Sequence, residues 1–361
     1  MQLSTTVRLS TAVLRAPVSR RTAWRAAVLL CAWLLLLRLS SAVMLLAQGG
    51  GTIRGSVVNG TSGGGSVEGL QVTLRSFTGN TEGERYTTAA DAAGVFRFEG
   101  LDTGSDRSYM PQTEYQGVVY SPGSLAFEAG QTELATEIDV YETTTDNRDM
   151  GVGRAHILIE MSDSGVSVTE MYAFLNPTDR TFVGAEETGG RRWTSRFLLP
   201  QGSRDLTPED GTLGGRFLAV EGGFVDTEPQ WPGTTTVLFS YAVDCPTGEC
   251  NLTRQVSHSI ANLNVLIPDT GAQVQSTRLT RAGTQKGQGQ SYLNYAGRDL
   301  LPGDTLDLRI RLQQPTSPAA AGRVGGSQPV PWIVLGTAAT LLVLVYPFWR
   351  QRVQAAARER R

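Results

Sequence analysis

Few residues in this chain are equipped for chemistry, and their spacing limits what they can do. Cys245 and Cys250 flank the turn sequence Pro246-Thr247-Gly248-Glu249. In an exported chain that spacing closes a hairpin loop with a disulfide. A thioredoxin-type redox pair instead expects two intervening residues at a helix N-terminus, and a zinc site needs further ligands. Cys31 lies apart, in an apolar N-terminal run. The two histidines, His156 and His258, each fall in a segment that reads as a strand. Neither belongs to a His-Glu-x-x-His pair, and no Gly-x-Ser-x-Gly elbow supports a nucleophilic triad. Gly49-Gly50-Gly51 and Gly63-Gly64-Gly65 lack the following Lys or helix of a phosphate loop, so they read as linker and turn. Catalytic residues, a cofactor and a metal are therefore not expected. A pocket joining either histidine to buried carboxylates would revive a hydrolase.

Binding chemistry is the remaining option. Tyr109, Tyr115, Tyr120 and Trp231 lie beside Pro or Gly in expected loops or edges, where an exposed ring could stack on a sugar. The competing expectation is that these rings cap a core. A coplanar exposed pair would favour sugar, whereas an apolar patch rimmed by acids would favour a protein partner. The basic residues are Arg except for Lys286 and form no stripe, so nucleic acid is not expected as a partner.

The elements that must position these residues read as all-β. Short alternating runs recur between Gly, Asp, Asn and Pro clusters, the pattern of antiparallel β-sandwiches, and no segment has helix periodicity. About 280 residues between the chain ends suggest two domains. In the second, 150–312, the stripes are Val166, Val168, Tyr172 and Phe174; Trp193, Phe197 and Leu199; Val237, Phe239, Tyr241 and Val243; and Leu306, Leu308, Ile310 and Leu312. Each puts apolar side chains on one face of a strand. The pattern resembles an immunoglobulin-like or fibronectin-like sandwich.

The first domain, 48–146, opens with the alternating strand Gly51–Gly60. It continues with Gly69–Arg75, in which Leu70, Val72 and Leu74 share a face, and with Asp91–Leu101, in which Phe96 and Phe98 alternate with Arg97. These segments resemble the carboxypeptidase regulatory-like family, transthyretin-shaped sandwiches grouped with the carbohydrate-binding-like fold. The resemblance rests on a Gly-x-Val strand, a Gly-x-x-Val strand, and Thr-x-x-Asp-x-x-Gly-x-Phe-x-Phe-x-x-Leu, here Thr88 through Leu101. It covers about a quarter of the chain and implies a structural or binding module without catalytic zinc. Tyr109-Met110-Pro111 departs from the family's tyrosine-bearing strand, so that strand is expected to be an edge or broken. Collagen-adhesin B-type domains look similar and often carry a Lys–Asn isopeptide bond. The lone lysine at position 286 rules one out in this domain. Asp91 is expected to serve its turn rather than calcium.

Both chain ends are basic and apolar, and the middle is acidic. Residues 48–327 hold 21 Lys+Arg against 33 Asp+Glu, a formal charge of −12. Residues 1–47 read as a signal peptide or an uncleaved signal anchor, with arginines preceding Ala26–Leu37. Residues 313–329 read as a Pro/Gly/Ala tether. An uncharged run over 330–349 reads as a transmembrane helix, with Trp332, Tyr346 and Trp349 at the interfaces. Arg350 and Arg352 begin a basic tail, 350–361, held in the cytoplasm by the positive-inside rule. The expectation is a non-catalytic, membrane-anchored extracytoplasmic protein that docks another envelope protein. The alternative is a carbohydrate-binding envelope protein using the aromatics of the first sandwich.

Overall fold

The structure, a computed structural model, describes residues 50–311 except 163 and 288. The expected export segment, tether, membrane span and tail, with Trp332, Tyr346, Trp349, Arg350 and Arg352, lie outside the described residues, as does Leu312. No helix occurs among the described residues, and none there is long and apolar enough to cross a membrane. The fold is all-β. The described residues divide into two compact units that are not linear along the chain: 50–56, 71–112 and 121–138 form the first, and 57–70, 113–120 and 139–311 the second.

In chain order the first strands are β1 (Gly51–Asn59), β2 (Gln71–Thr78), β3 (Thr81–Ala89), β4 (Val95–Leu101), β5 (Arg107–Tyr115), β6 (Val118–Tyr120) and β7 (Glu133–Val140). They form two sheets, ordered β4-β1-β7 and β3-β2-β5-β6. Alternation sets which side chains go inside: Ile53, Val72, Leu74, Phe96, Phe98 and Leu101 are all buried. The Asp91–Gly94 turn is closed by Asp91 Oδ1, which accepts from the Ala93 and Val95 amides. Gly94 takes φ +77° there, so these motif residues act in folding. Gly55 is opposite Phe96 in the register, and a Cβ on it would sit 2.3 Å from that ring. Pro111 does not break β5. The interruption falls on the neighbouring segment, which pairs with β5 at Thr113–Tyr115 and again through the mutual Tyr109–Leu125 bonds. Between them the Pro111 carbonyl accepts from the Ser121 hydroxyl, so no amide is needed at Pro111.

The remaining strands are β8 (Thr143–Thr144), β9 (Gly151–Met161), β10 (Gly165–Asn176), β11 (Thr181–Phe182), β12 (Glu186–Thr188), β13 (Arg191–Trp193), β14 (Ser195–Leu198), β15 (Ser203–Pro208), β16 (Phe217–Val220), β17 (Gly223–Asp226), β18 (Gly233–Asp244), β19 (Glu249–Asn251), β20 (Arg254–Gln255), β21 (Ile260–Pro268), β22 (Gln273–Gln275), β23 (Thr280–Gly287), β24 (Gln290–Leu300), β25 (Thr305–Leu306) and β26 (Arg309–Arg311). A seven-stranded sheet, β15-β18-β10-β9-β21-β24-β23, is the frame of the second unit. It is not wholly antiparallel as the sequence suggests, because β9 and β21 run parallel. Parallel neighbours need a long crossover, and the chain between them supplies it with β10 through β20.

One face of that sheet carries the expected stripes. Val166, Val168, Tyr172 and Phe174 on β10 and Val237, Phe239, Tyr241 and Val243 on β18 join a single buried cluster with Leu306, Leu308 and Ile310. Two stripes are more broken than their alternation suggests. Trp193 and Phe197 belong to different strands in different sheets, separated at Thr194, whose amide and hydroxyl bond the Asp226 and Glu228 carbonyls. The last stripe divides into β25, paired with β20, and β26, paired with β19 and β22.

Candidate functional site

The sequence-designated residues have different fates. Cys245 and Cys250 form the expected disulfide, and both are buried. Tyr109 and Tyr120 are 1% and 0% exposed, so neither offers a ring face to a ligand; proximity to Pro and Gly does not report depth. Tyr109 packs edge-on against Phe127 at 5.9 Å and donates to the Asp102 carbonyl. Tyr120 donates to the Tyr141 carbonyl, and its hydroxyl lies 2.8 Å from that of Thr181. Trp231 is half-buried, with its ring 5.2 Å from Tyr120 and tilted 33° to it. Tyr115 is half-buried and donates to Glu142 at 2.6 Å. The same carboxylate accepts from the Gly65 amide and from Gln116. These bonds, that of Gly65 foremost, hold Glu142 down at about 2, and its bond raises Tyr115. That site ties a glycine loop in place.

The second unit contains a cleft of about 590 Å³ that the sequence does not announce. Clefts that take small ligands span about 300–1,000 Å³. One wall is the β12–β13 hairpin, in which Glu186 stands directly across from Trp193; both line the cleft. Gly184 precedes this hairpin at φ +88°, and a Cβ there would lie 2.1 Å from the Trp193 carbonyl, so only glycine permits that approach. Another wall is the loop Val256–Ser259 joining β20 to β21. His258 sits in this loop rather than in a strand. Its Nε2 lies 2.8 Å from the Arg196 carbonyl and 3.1 Å from the Arg196 amide, so one tautomer donates to the first and the other accepts from the second. Phe174 meets the imidazole edge-on at 5.0 Å. Burial lowers His258 to about 4, which leaves the ring neutral near pH 7. Beside it, the Ser257 Oγ is buried without a hydrogen-bond partner.

Within the apolar stripe lies a second polar group. Glu170, 1% exposed, accepts from Tyr172 at 2.6 Å, Tyr241 at 2.5 Å and Arg254 at 2.6 Å. Burial is the largest influence on Arg254 and opposes its charge, but Glu170, Tyr241 and Tyr172 together outweigh it and raise this guanidinium. Burial also raises both tyrosines. The signal for Glu170 is an acid in phase with Val168 and Tyr172 on β10; its partner lies 84 residues away.

The described residues do not assemble the histidine and buried-carboxylate pocket that would revive hydrolysis. The cleft holds His258, but Glu186 is exposed and Glu170 is committed to Arg254. His156, on β9, is lowered to about 4 by burial and by Arg154 and does not line the cleft. Among the described residues no group of three His, Cys, Asp or Glu side chains is placed to hold a metal ion.

No protein-family model and no curated protein matches the sequence. Among solved structures, the full-length major pilin SpaD from Corynebacterium diphtheriae overlaps 72% of this chain and 81% of its own at 12% identity and a TM-score of 0.21. The major pilin SpaA of the same organism overlaps 73% and 86% at 10% identity and a TM-score of 0.19. Scores of this size do not mark a shared fold.

Proposed function

We propose that the protein is a membrane-anchored, extracytoplasmic binding or assembly protein without catalytic activity. On this reading it presents two tandem β-sandwiches, the first carboxypeptidase regulatory-like and the second immunoglobulin- or fibronectin-like, to another protein of the cell envelope. Residues 1–47 direct export, and 330–349 hold the ectodomain outside with the C-terminus in the cytoplasm. The Cys245–Cys250 bridge supports an oxidising compartment.

The observation that carries the reading is an apolar groove of about 360 Å³ in the second unit. Leu175 and Leu301, two of its lining residues, are 45% and 61% exposed. Met150 lies with them, and Asp149, Asp299 and Arg148 are at the same groove, Arg148 being paired with Asp146. Asp299 has φ 49°, a conformation uncommon outside glycine, just before buried Leu300 and exposed Leu301. Exposed apolar side chains rimmed by acids suit a protein that offers apolar residues flanked by Lys or Arg. The formal −12 of residues 48–327 has the same sign. Burial of Tyr109 and Tyr120 weighs against sugar binding by the aromatics first considered.

The test is affinity capture of the full-length protein from crosslinked native membranes, beside a Leu175→Asp/Leu301→Asp variant. The expected result is one reproducible membrane-protein partner that the variant loses while keeping its melting temperature. Identical capture by both proteins would overturn the reading.

A further inference from the structure

The cleft at Trp193 differs in chemistry from the apolar groove. We infer that it is a binding site for a neutral saccharide, with the half-buried indole of Trp193 under an apolar sugar face and Glu186 and His258 at its hydroxyls.

Charge narrows the ligand first. The ionised side chains lining the cleft are Arg148, Glu186 and Arg196. Arg148 is paired with Asp146 at 2.5 Å, and Glu186 and Arg196 offset one another. His258 is neutral near pH 7. A strongly anionic or cationic ligand would find no net counter-charge.

Polarity narrows it further. The cleft lining is rich in polar side chains, among them Asn147, Thr194, Gln230, Ser257 and Ser259. A hydroxyl can both donate and accept, which fits a ligand bearing hydroxyls of its own. Whichever tautomer His258 adopts against Arg196, its other ring nitrogen retains hydrogen-bonding capacity. Glu186, directly across the strand pair from Trp193, puts a carboxylate acceptor beside the ring. An indole face with acceptors at its margin suits a molecule that is apolar on one side and hydroxylated around its edge, which describes a pyranose. A peptide would find few exposed apolar anchors here; those lie in the groove at Leu175 and Leu301. The inference goes beyond docking of a protein partner, and either can fail alone.

The experiment titrates full-length protein, purified in a detergent without a sugar headgroup, with cellotetraose, chitotetraose and mannotetraose, by calorimetry and tryptophan fluorescence. At least one neutral tetrasaccharide is expected to saturate with a Kd of about 1 mM or tighter. Trp193→Ala is expected to weaken it about tenfold, and Trp231→Phe to leave it unchanged. Glu186→Ala, at an exposed carboxylate whose loss spares the fold, is expected to weaken it several-fold. Absence of saturation with all three sugars, binding that survives both Trp193→Ala and Glu186→Ala, or tighter binding of a uronate tetramer than of any neutral one would overturn the assignment.

Discussion

Two polar groups of the second unit differ in composition and in completeness. Around Glu170, two tyrosines and Arg254 occupy the carboxylate from several sides, and the cluster is closed off in the core. Around His258, the imidazole meets only one backbone segment, and the adjacent Ser257 hydroxyl has no partner. Polarity that is fully used within the chain serves the fold, because leaving any member unpaired is costly. The imidazole nitrogen that Arg196 does not engage is the polarity left over at the cleft.

The largest expected effect tests the closed group. Glu170→Ala leaves Arg254 buried and unpaired and should cost about 3–5 kcal/mol in denaturant unfolding. Replacing Glu170 and Arg254 together by apolar residues of similar volume should recover most of that loss. If the single substitution proved nearly neutral, the cluster would not be the tightly coupled unit its geometry describes.

Acidification tests both histidines. His156 and His258 are held near 4 in the fold, below the ordinary value of about 6.5. Their contribution is complete above pH 6.5 and is lost as pH falls towards 4, where the folded rings finally take up protons. The loss should be on the order of 2 kcal/mol per imidazole, read as a falling melting temperature across that window. His258→Gln should flatten part of the decline. An unchanged profile would show that water reaches this ring freely.

Removing the disulfide sets a slightly smaller scale. Its loop is short, so Cys245→Ala/Cys250→Ala should cost about 2 kcal/mol by the chain-entropy argument. Tyr120→Phe, which removes a buried hydroxyl from Thr181 and the Tyr141 carbonyl, should cost about 1 kcal/mol. Trp193→Ala should change ligand binding most, sharpening the contrast between closed and open groups.

Sequence pattern reveals the closed regions better than the open ones. Alternation alone locates Phe96 and Phe98 on β4 and the Val237–Val243 stripe on β18, because a strand with one face in the core must repeat every two residues. The spacing of Cys245 and Cys250 likewise suffices for their bridge. Glu170 is harder to read because its partner lies far along the chain. Tyr109 and Tyr120 mislead because Pro and Gly mark turns without reporting which side chains cover them. The cleft is least legible: Trp193 falls in an apparent apolar stripe that Thr194 breaks, and His258 sits in a loop between short strands. Its surroundings come from hairpins and crossovers, which local periodicity does not encode.

The central proposal is protein docking at the Leu175–Leu301 groove, and site-specific photo-crosslinking tests it most directly. A photoreactive residue would replace Leu301 in one full-length protein and Leu213, which is 45% exposed and does not line the groove, in another, each illuminated in native membranes. A discrete crosslinked membrane protein is expected from position 301 and not from position 213. Equal products from both positions, or none from position 301, would contradict the docking proposal.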